Sequence, residues 1–422
     1  MLHSFLRRLV CFPTGARDYD LLEAVDPAVW PAASLPPPAG PITDLPPELL
    51  HLIIEFVDPT MLATCSLVCR RWMVDAARKK MFARLSISLL NAHRFGRLFV
   101  PPALITFAPY VRGIELDHKI VRDFWVSDVL PQFIVGFPHL STLTIFGLVP
   151  NVLPSAFQVI THLELNYVCT SHPDRLASFI STFPRLETLK LTQERGLYFN
   201  FGVLSEMCQP PPRLRGVDLD SPLLLHWIAS ANPKPLIESI RLEISHPEAM
   251  MAMDSIRALS PSLHALDLTL SDVEVGASFL AENHLDVIKK LRTLRIQADH
   301  SQAAQLLLKV LSEIDTSYLE EISLDFAIPY LDSPVLMFLP WDELDASLAA
   351  LPSLRRLTVV KVLVSPHGWR SRINQRTVLL DAVNRMPLCR DFGVGVLTPD
   401  LESRPPSRAA GSPRDLPDLY GC

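Results

Sequence analysis

One apolar spacing recurs along most of this chain, and any fold it adopts must give each copy the same surroundings. The spacing is apolar-x-x-apolar-x-apolar: VRGIEL at Val111, LSTLTI at Leu140, ITHLEL at Ile160, LETLKL at Leu186 and LRGVDL at Leu214. It continues as IESIRL at Ile237, LHALDL at Leu263, LRTLRI at Leu291, LEEISL at Leu319, LRRLTV at Leu354 and a weaker CRDFGV at Cys389. FARLSI at Phe82 reads as a first, capping copy. A repeat of this length marks units too small to bury their own apolar face, which do so by stacking on one another.

A second mark accompanies the first. Proline stands two residues before Val111, Leu140, Leu186, Leu214, Ile237, Leu263, Leu354 and Cys389, as Pro109, Pro138, Pro184, Pro212, Pro235, Pro261, Pro352 and Pro387. Helix-like segments precede several copies: DRLASFISTF, SQAAQLLLKVLSEI, DELDASLAAL and QRTVLLDAVNRM. Proline cannot continue a helix and biases the residue before it towards extended geometry, so the unit reads as helix, proline, strand.

These marks resemble the leucine-rich-repeat family over roughly residues 82 to 397. The resemblance implies parallel strands stacked along one face, with helices or irregular turns behind. The fourth and sixth pattern positions would then point into the core. Two departures imply an irregular variety: unit length wanders, and the family's Asn or Cys after the strand is replaced by Glu194, Pro222, Ser271 or Asp299. The third, fifth and seventh positions would face solvent. Among them Asp218, Asp220, Glu243 and Asp267 would cluster, diluted by Arg241, as an acidic patch that favours a basic client segment. An ordinary solvated strand face has the same composition.

Upstream of the repeats stands LPPELLHLIIEFVDPTMLATCSLVCRRW, residues 45 to 72. From Leu49 to Val57 only His51 and Glu55 are polar, and a helix apolar all round needs cover on every side. Asp44 is a candidate cap, and Pro46 and Pro47 fit a helix start; Asp58 and Pro59 restart the pattern. Leu62, Cys65, Cys69, Trp72 and Ala76 then recur at helical spacing. Two or three helices in so few residues cannot bury both faces, and leftover apolar surface marks a binding site.

This stretch resembles the F-box. Leu45, Pro46, Glu48, Leu49 and Leu50 meet its opening pattern, Ile53, Ile54 and Val57 its first helix, and Val68, Cys69, Arg70 and Trp72 its closing block. SLVCRRW followed by repeats is especially like the large fungal F-box families. The resemblance implies docking onto the Skp-type adaptor of a cullin-based ubiquitin ligase. Leu45, Pro46, Leu49, Leu50, Ile53, Ile54, Val68, Cys69 and Trp72 would lie at or near that contact, with Trp72 and Leu62 shared between core and interface.

Composition narrows the remainder. Net charge is −6, which argues against nucleic acid or an anionic membrane as partner. Cys11, Cys65, Cys69, Cys169, Cys208, Cys389 and Cys422 are scattered, so neither a disulfide framework nor a metal cluster is expected, and a reducing compartment, cytoplasm or nucleus, fits. No apolar run has the ~18–20 residues a membrane crossing needs. MLHSFLRRLVCF is basic and apolar but lacks a cleavable leader's apolar core, and Cys422 is not placed for prenylation.

The expected architecture is therefore α/β. Residues 1–42 form an N-terminal segment with a proline-rich linker, and 43–87 a small all-α F-box bundle. Residues 88–397 form an irregular leucine-rich-repeat solenoid with a parallel sheet, and 398–422 a disordered tail. G-x-S-x-G, Walker, H-E-x-x-H and paired C-x-x-C motifs do not occur, so no enzyme, cofactor or metal is expected. The expected function is client recognition within a Skp–cullin–F-box ligase; the alternative is a non-catalytic scaffold that binds partners without ubiquitin transfer.

Overall fold

In a computed structural model of the chain, the described residues are 82–88, 91–92, 108–117, 134, 136–147, 155–168, 173–193, 208–244, 249–270, 285 and 287–328, with 340–354, 356–359, 363–364, 385–391 and 395–397. Residues 46, 48–49, 52–53 and 57 are also described. The chain divides into two compact units, Met1–Glu243 with Met251–Ser262, and Ile244–Met250 with Leu263–Cys422.

The first unit carries β1 (Arg84–Ile87), β2 (Gly113–Leu116), β3 (Thr142–Phe146), β4 (His162–Val168), β5 (Thr188–Gln193), β6 (Gly216–Leu219) and β7 (Ser239–Ile244), whose last residue opens the second unit. Each strand from β1 to β7 pairs in parallel with the next. Helices α1 (Pro173–Ser181) and α2 (Pro222–Ala229) connect strands, and α3 (Ala249–Leu259) follows β7.

The second unit carries β8 (Ala265–Leu270), β9 (Thr293–Asp299), β10 (Glu321–Ile328), β11 (Arg356–Val359), β12 (Leu363–Val364) and β13 (Gly395–Leu397). Its helices are α4 (His300–Glu313), α5 (Trp341–Ala349) and α6 (Pro387–Asp391). Its strands are parallel too: β9 joins β8 to β10, β10 carries both β11 and the short β12, and β11 carries β13. Parallel order with helical or 3-10 crossovers is the expected α/β repeat layout.

The core follows the sequence pattern closely. Val111, Ile114 and Leu116 are fully buried, and so is the corresponding trio of Leu319, Ile322 and Leu324 to within 1%. The first, fourth and sixth positions are buried in every copy from Val111 to Leu319. Alternation along a strand puts positions four and six on one face, and each such side chain stabilises the stack by roughly 1.5–3 kcal/mol before entropy is counted. Behind the strands, α1 buries Leu176, Ala177, Phe179 and Ile180, one stripe of a helix. Phe179 meets Phe183 edge to face, ring centres 5.3 Å apart.

The proline mark has a more specific cause than helix termination. The amide of Val111 donates to Ala108 O, Leu140 to Phe137 O, Leu186 to Phe183 O and Leu214 to Pro211 O, at 3.2–3.3 Å. Each is a four-residue turn with Pro109, Pro138, Pro184 or Pro212 in second place, where a fixed φ suits the turn. Ile160 and Leu319 close the same turn without proline; in the latter the Asp315 carboxylate accepts from Ser317 N at 3.0 Å.

From each turn a forked hydrogen bond reaches the preceding copy. Arg112 N and Gly113 N both donate to Ala83 O, at 2.9 and 2.8 Å, and Glu187 N and Thr188 N both donate to Thr161 O. Backbone alone makes these bonds, so pattern position two is free to vary.

Two local departures matter. The last copy does not begin a strand at Cys389: residues 387–391 are α6, and Gly395 takes the register place opposite Arg356. The buried Asp345 of α5 explains this, since its carboxylate accepts from Leu388 N and Cys389 N, both at 2.8 Å, and holds those residues in the first turn of a helix. In β4 the register shifts between Asn166 and Val168; Tyr167 is the extra residue, with φ 54°, and stands out while Val168 is buried.

Candidate functional site

The apolar stretch at residues 45–57 is the first place to look. Pro46 is exposed, and residues 48–49 and 52–53 are helical. Leu49, Leu52 and Ile53 are 48%, 49% and 40% exposed. Spaced i, i+3 and i+4, they share one side of the helix. Three large aliphatic side chains half open to solvent on one stripe form a surface of the kind a partner covers. Leu52 was not among the residues expected at the contact; counting three positions on from Leu49 finds it. Leu45, Leu50, Ile54, Val68, Cys69 and Trp72, and with them Leu62 and Cys65, lie outside the described residues.

The second place is the open face of the first-unit sheet. Register aligns the fifth pattern positions in one row: Ser86, Glu115, Thr144, Glu164, Lys190, Asp218 and Arg241. Lys190 Nζ lies 2.9 Å from Glu164 Oε1, and Arg241 Nη1 lies 3.7 Å from Asp218 Oδ2. Sign therefore alternates from β4 to β7. Of the four acids expected to cluster, Asp218 lies in this row, Asp220 follows β6, and Glu243 is exposed on β7. Asp267 lies in the second unit, 3.5 Å from Arg295 Nη1. Basic side chains thus stand beside Asp218 and Asp267.

Arg84 of β1 reaches much further than sequence suggests. Its Nη2 donates to Thr144 Oγ1 at 2.6 Å and to Glu164 Oε2 at 3.0 Å, and its Nε lies 3.4 Å from Glu115 Oε2. Thr144, expected to face solvent, is fully buried beneath this guanidinium and donates to Glu164 Oε2 at 3.2 Å. Gly113 stands opposite Arg84, and a Cβ there would make ordinary contact, 3.6 Å from Arg84 Cγ.

The two central carboxylates respond differently. Partial burial raises the Glu164 carboxyl, but bonds from Lys190, Asn166 and Arg84 outweigh it and hold it below the ordinary value. Burial also raises Asp218, and there Arg241 and Lys190 only partly offset the rise. Among the described residues no three His, Cys, Asp or Glu side chains are grouped to hold a metal ion. No helix among them is long and apolar enough to cross a membrane.

Comparison with known proteins bears on the helix and not on the sheet. Residues 42–87 match the family model described as F-box-like. No curated protein matches the chain. A Bacteroides fragilis protein known by crystal structure is similar at 16% identity and a TM-score of 0.36, covering 66% of this chain and 73% of its own. The chain thus carries an F-box-like domain at residues 42–87, followed by a parallel α/β repeat sheet.

Proposed function

We propose that this chain is the client-recognition subunit of a Skp–cullin–F-box ubiquitin ligase. The observation that carries the reading is the coincidence of the F-box-like match with an uncovered Leu49–Leu52–Ile53 stripe inside it. A Skp-type adaptor supplies the cover, and the cullin follows through the adaptor. The first-unit sheet then holds a client protein against its open face, where Asp218 stands between Lys190 and Arg241, with Asp220 after β6 and Glu243 on β7. Such a row suits a client segment bearing both signs better than a uniformly basic one.

In this reading the chain does no chemistry. It raises the effective concentration of a client beside an activated ubiquitin, and its site of action is the cytoplasm or nucleus. The test is co-expression of the full chain with a Skp-type adaptor, then pull-down. Stoichiometric retention supports the reading, and loss of retention in Leu49→Asp with Ile53→Asp locates the contact. Folded full-length protein that leaves the adaptor in the flow-through refutes it. A retained adaptor whose cullin complex never modifies captured clients favours the scaffold alternative.

A further inference from the structure

The F-box-like match ends at residue 87, and β1, the first strand of the repeat sheet, is Arg84–Ile87. The two parts therefore share a strand. From that strand Arg84 spans to the third and fourth strands of the sheet, meeting Thr144 and Glu164, 60 and 80 residues on in sequence. We propose that Arg84 is a positioning residue, tying the end of the F-box-like segment to the sheet so that the adaptor end and the client face keep one orientation.

Several features single this contact out from an ordinary surface ion pair. One guanidinium serves three acceptors on three successive strands, which a lysine's single ammonium on a flexible stem does not reproduce. Its main acceptor, Glu164, is braced from the other side by Lys190 and from below by the Thr144 hydroxyl. Thr144 is sealed beneath, so loss of Arg84 exposes a buried hydroxyl and frees a carboxylate together. Arg84 remains 52% exposed, and for one screened pair that would argue for a small effect; a network of linked groups couples more strongly.

The orienting role rests on the docking reading, whereas the tie itself does not, and the experiment keeps them apart. Amide exchange is followed by mass spectrometry on the full chain for wild type, Arg84→Ala, Arg84→Lys, Glu164→Gln and the Arg84→Ala/Glu164→Gln double variant. Exchange at residues 84–87 should quicken about tenfold in Arg84→Ala, the equivalent of ~1.4 kcal/mol. Arg84→Lys should recover only part, the double variant should add little, and β9 and β10 should stay unchanged.

In the adaptor complex, energy transfer between a dye on the adaptor and one placed at the exposed Ser178 of α1 reads orientation. Wild type should give one narrow distance, and Arg84→Ala a broadened one with unaltered adaptor affinity. Wild-type exchange at residues 84–87 in both Arg84→Ala and Glu164→Gln overturns the tie; quickened exchange with an unbroadened distance overturns its orienting role. If wild type does not bind the adaptor, the docking reading falls and takes the orienting role with it, while the exchange arm still judges the tie.

Discussion

Replacing Leu49, Leu52 and Ile53 together by alanine tests the docking stripe, because exposure sets opposite expectations for folding and for binding. Roughly half of each side chain is open to solvent in the free chain, at 48%, 49% and 40%. Truncation to alanine removes about three methylene equivalents per residue, worth ~0.8 kcal/mol each when buried. Scaled by the exposed half, a partner that covers the stripe loses about 1 kcal/mol per position and ~3 kcal/mol in all, a weakening of roughly two orders of magnitude in Kd. Interface truncations are not additive, so the triple variant, not the sum of single ones, is the quantity to compare.

Alanine is also the best helix former, so the helix itself is retained. The assay is titration of a purified Skp-type adaptor into wild-type and triple-variant chain by calorimetry, with thermal unfolding of both free proteins alongside. The expected outcome is a Kd raised about a hundredfold and a melting temperature within a degree or two of wild type. A Kd changed by less than threefold would refute the argument that this stripe is covered by the partner. A large fall in melting temperature would refute it differently, by showing that the stripe serves the chain's own core.

Other consequences concern charge and burial. Because the Glu164 carboxyl lies below its ordinary value when folded, its contribution is present above the ordinary carboxylate range and disappears as pH falls through the folded value; Glu164→Gln should cost about 1 kcal/mol at neutral pH and nearly nothing in acid, read by thermal unfolding across pH. Asp218 is raised, so any stability it lends is present at low pH and lost as pH rises through its folded value; Asp218→Asn should leave the melting temperature equal or higher at neutral pH, with the difference closing in acid. Asp345→Ala strips one buried and one part-buried backbone amide of their acceptor and should destabilise the second unit by about 2 kcal/mol in denaturant titration. Burial, helped by Asp345, pushes the Cys389 thiol up to about 12, so alkylation at mildly alkaline pH should reach it only after unfolding.

Much of this was legible in one dimension because strand alternation is a local rule. A residue's place in the apolar spacing decides which face it takes, and every copy from Val111 to Leu319 buries the three positions that the spacing marks. The exposed apolar stripe was legible too, since LLHLIIEFV carries more apolar surface than a short helix can bury on one side, and Leu49, Leu52 and Ile53 stand half open. What the chain alone did not reveal depends on neighbours distant in sequence. Register set the contacts inside the expected patch, bringing Lys190 and Arg241 beside Asp218 on the flanking strands.

The reach of Arg84 to Glu164 requires β1 and β4, 80 residues apart in sequence, to share one sheet with β2 and β3 between them. At the last copy, the Asp345 carboxylate on one helix captured the amides of Leu388 and Cys389 and moved the strand on by four residues from the place the spacing assigned. Periodicity determined which side chains are hidden. Only packing decided which of the remaining polar groups meet, because that choice depends on distances between strands that no local pattern encodes.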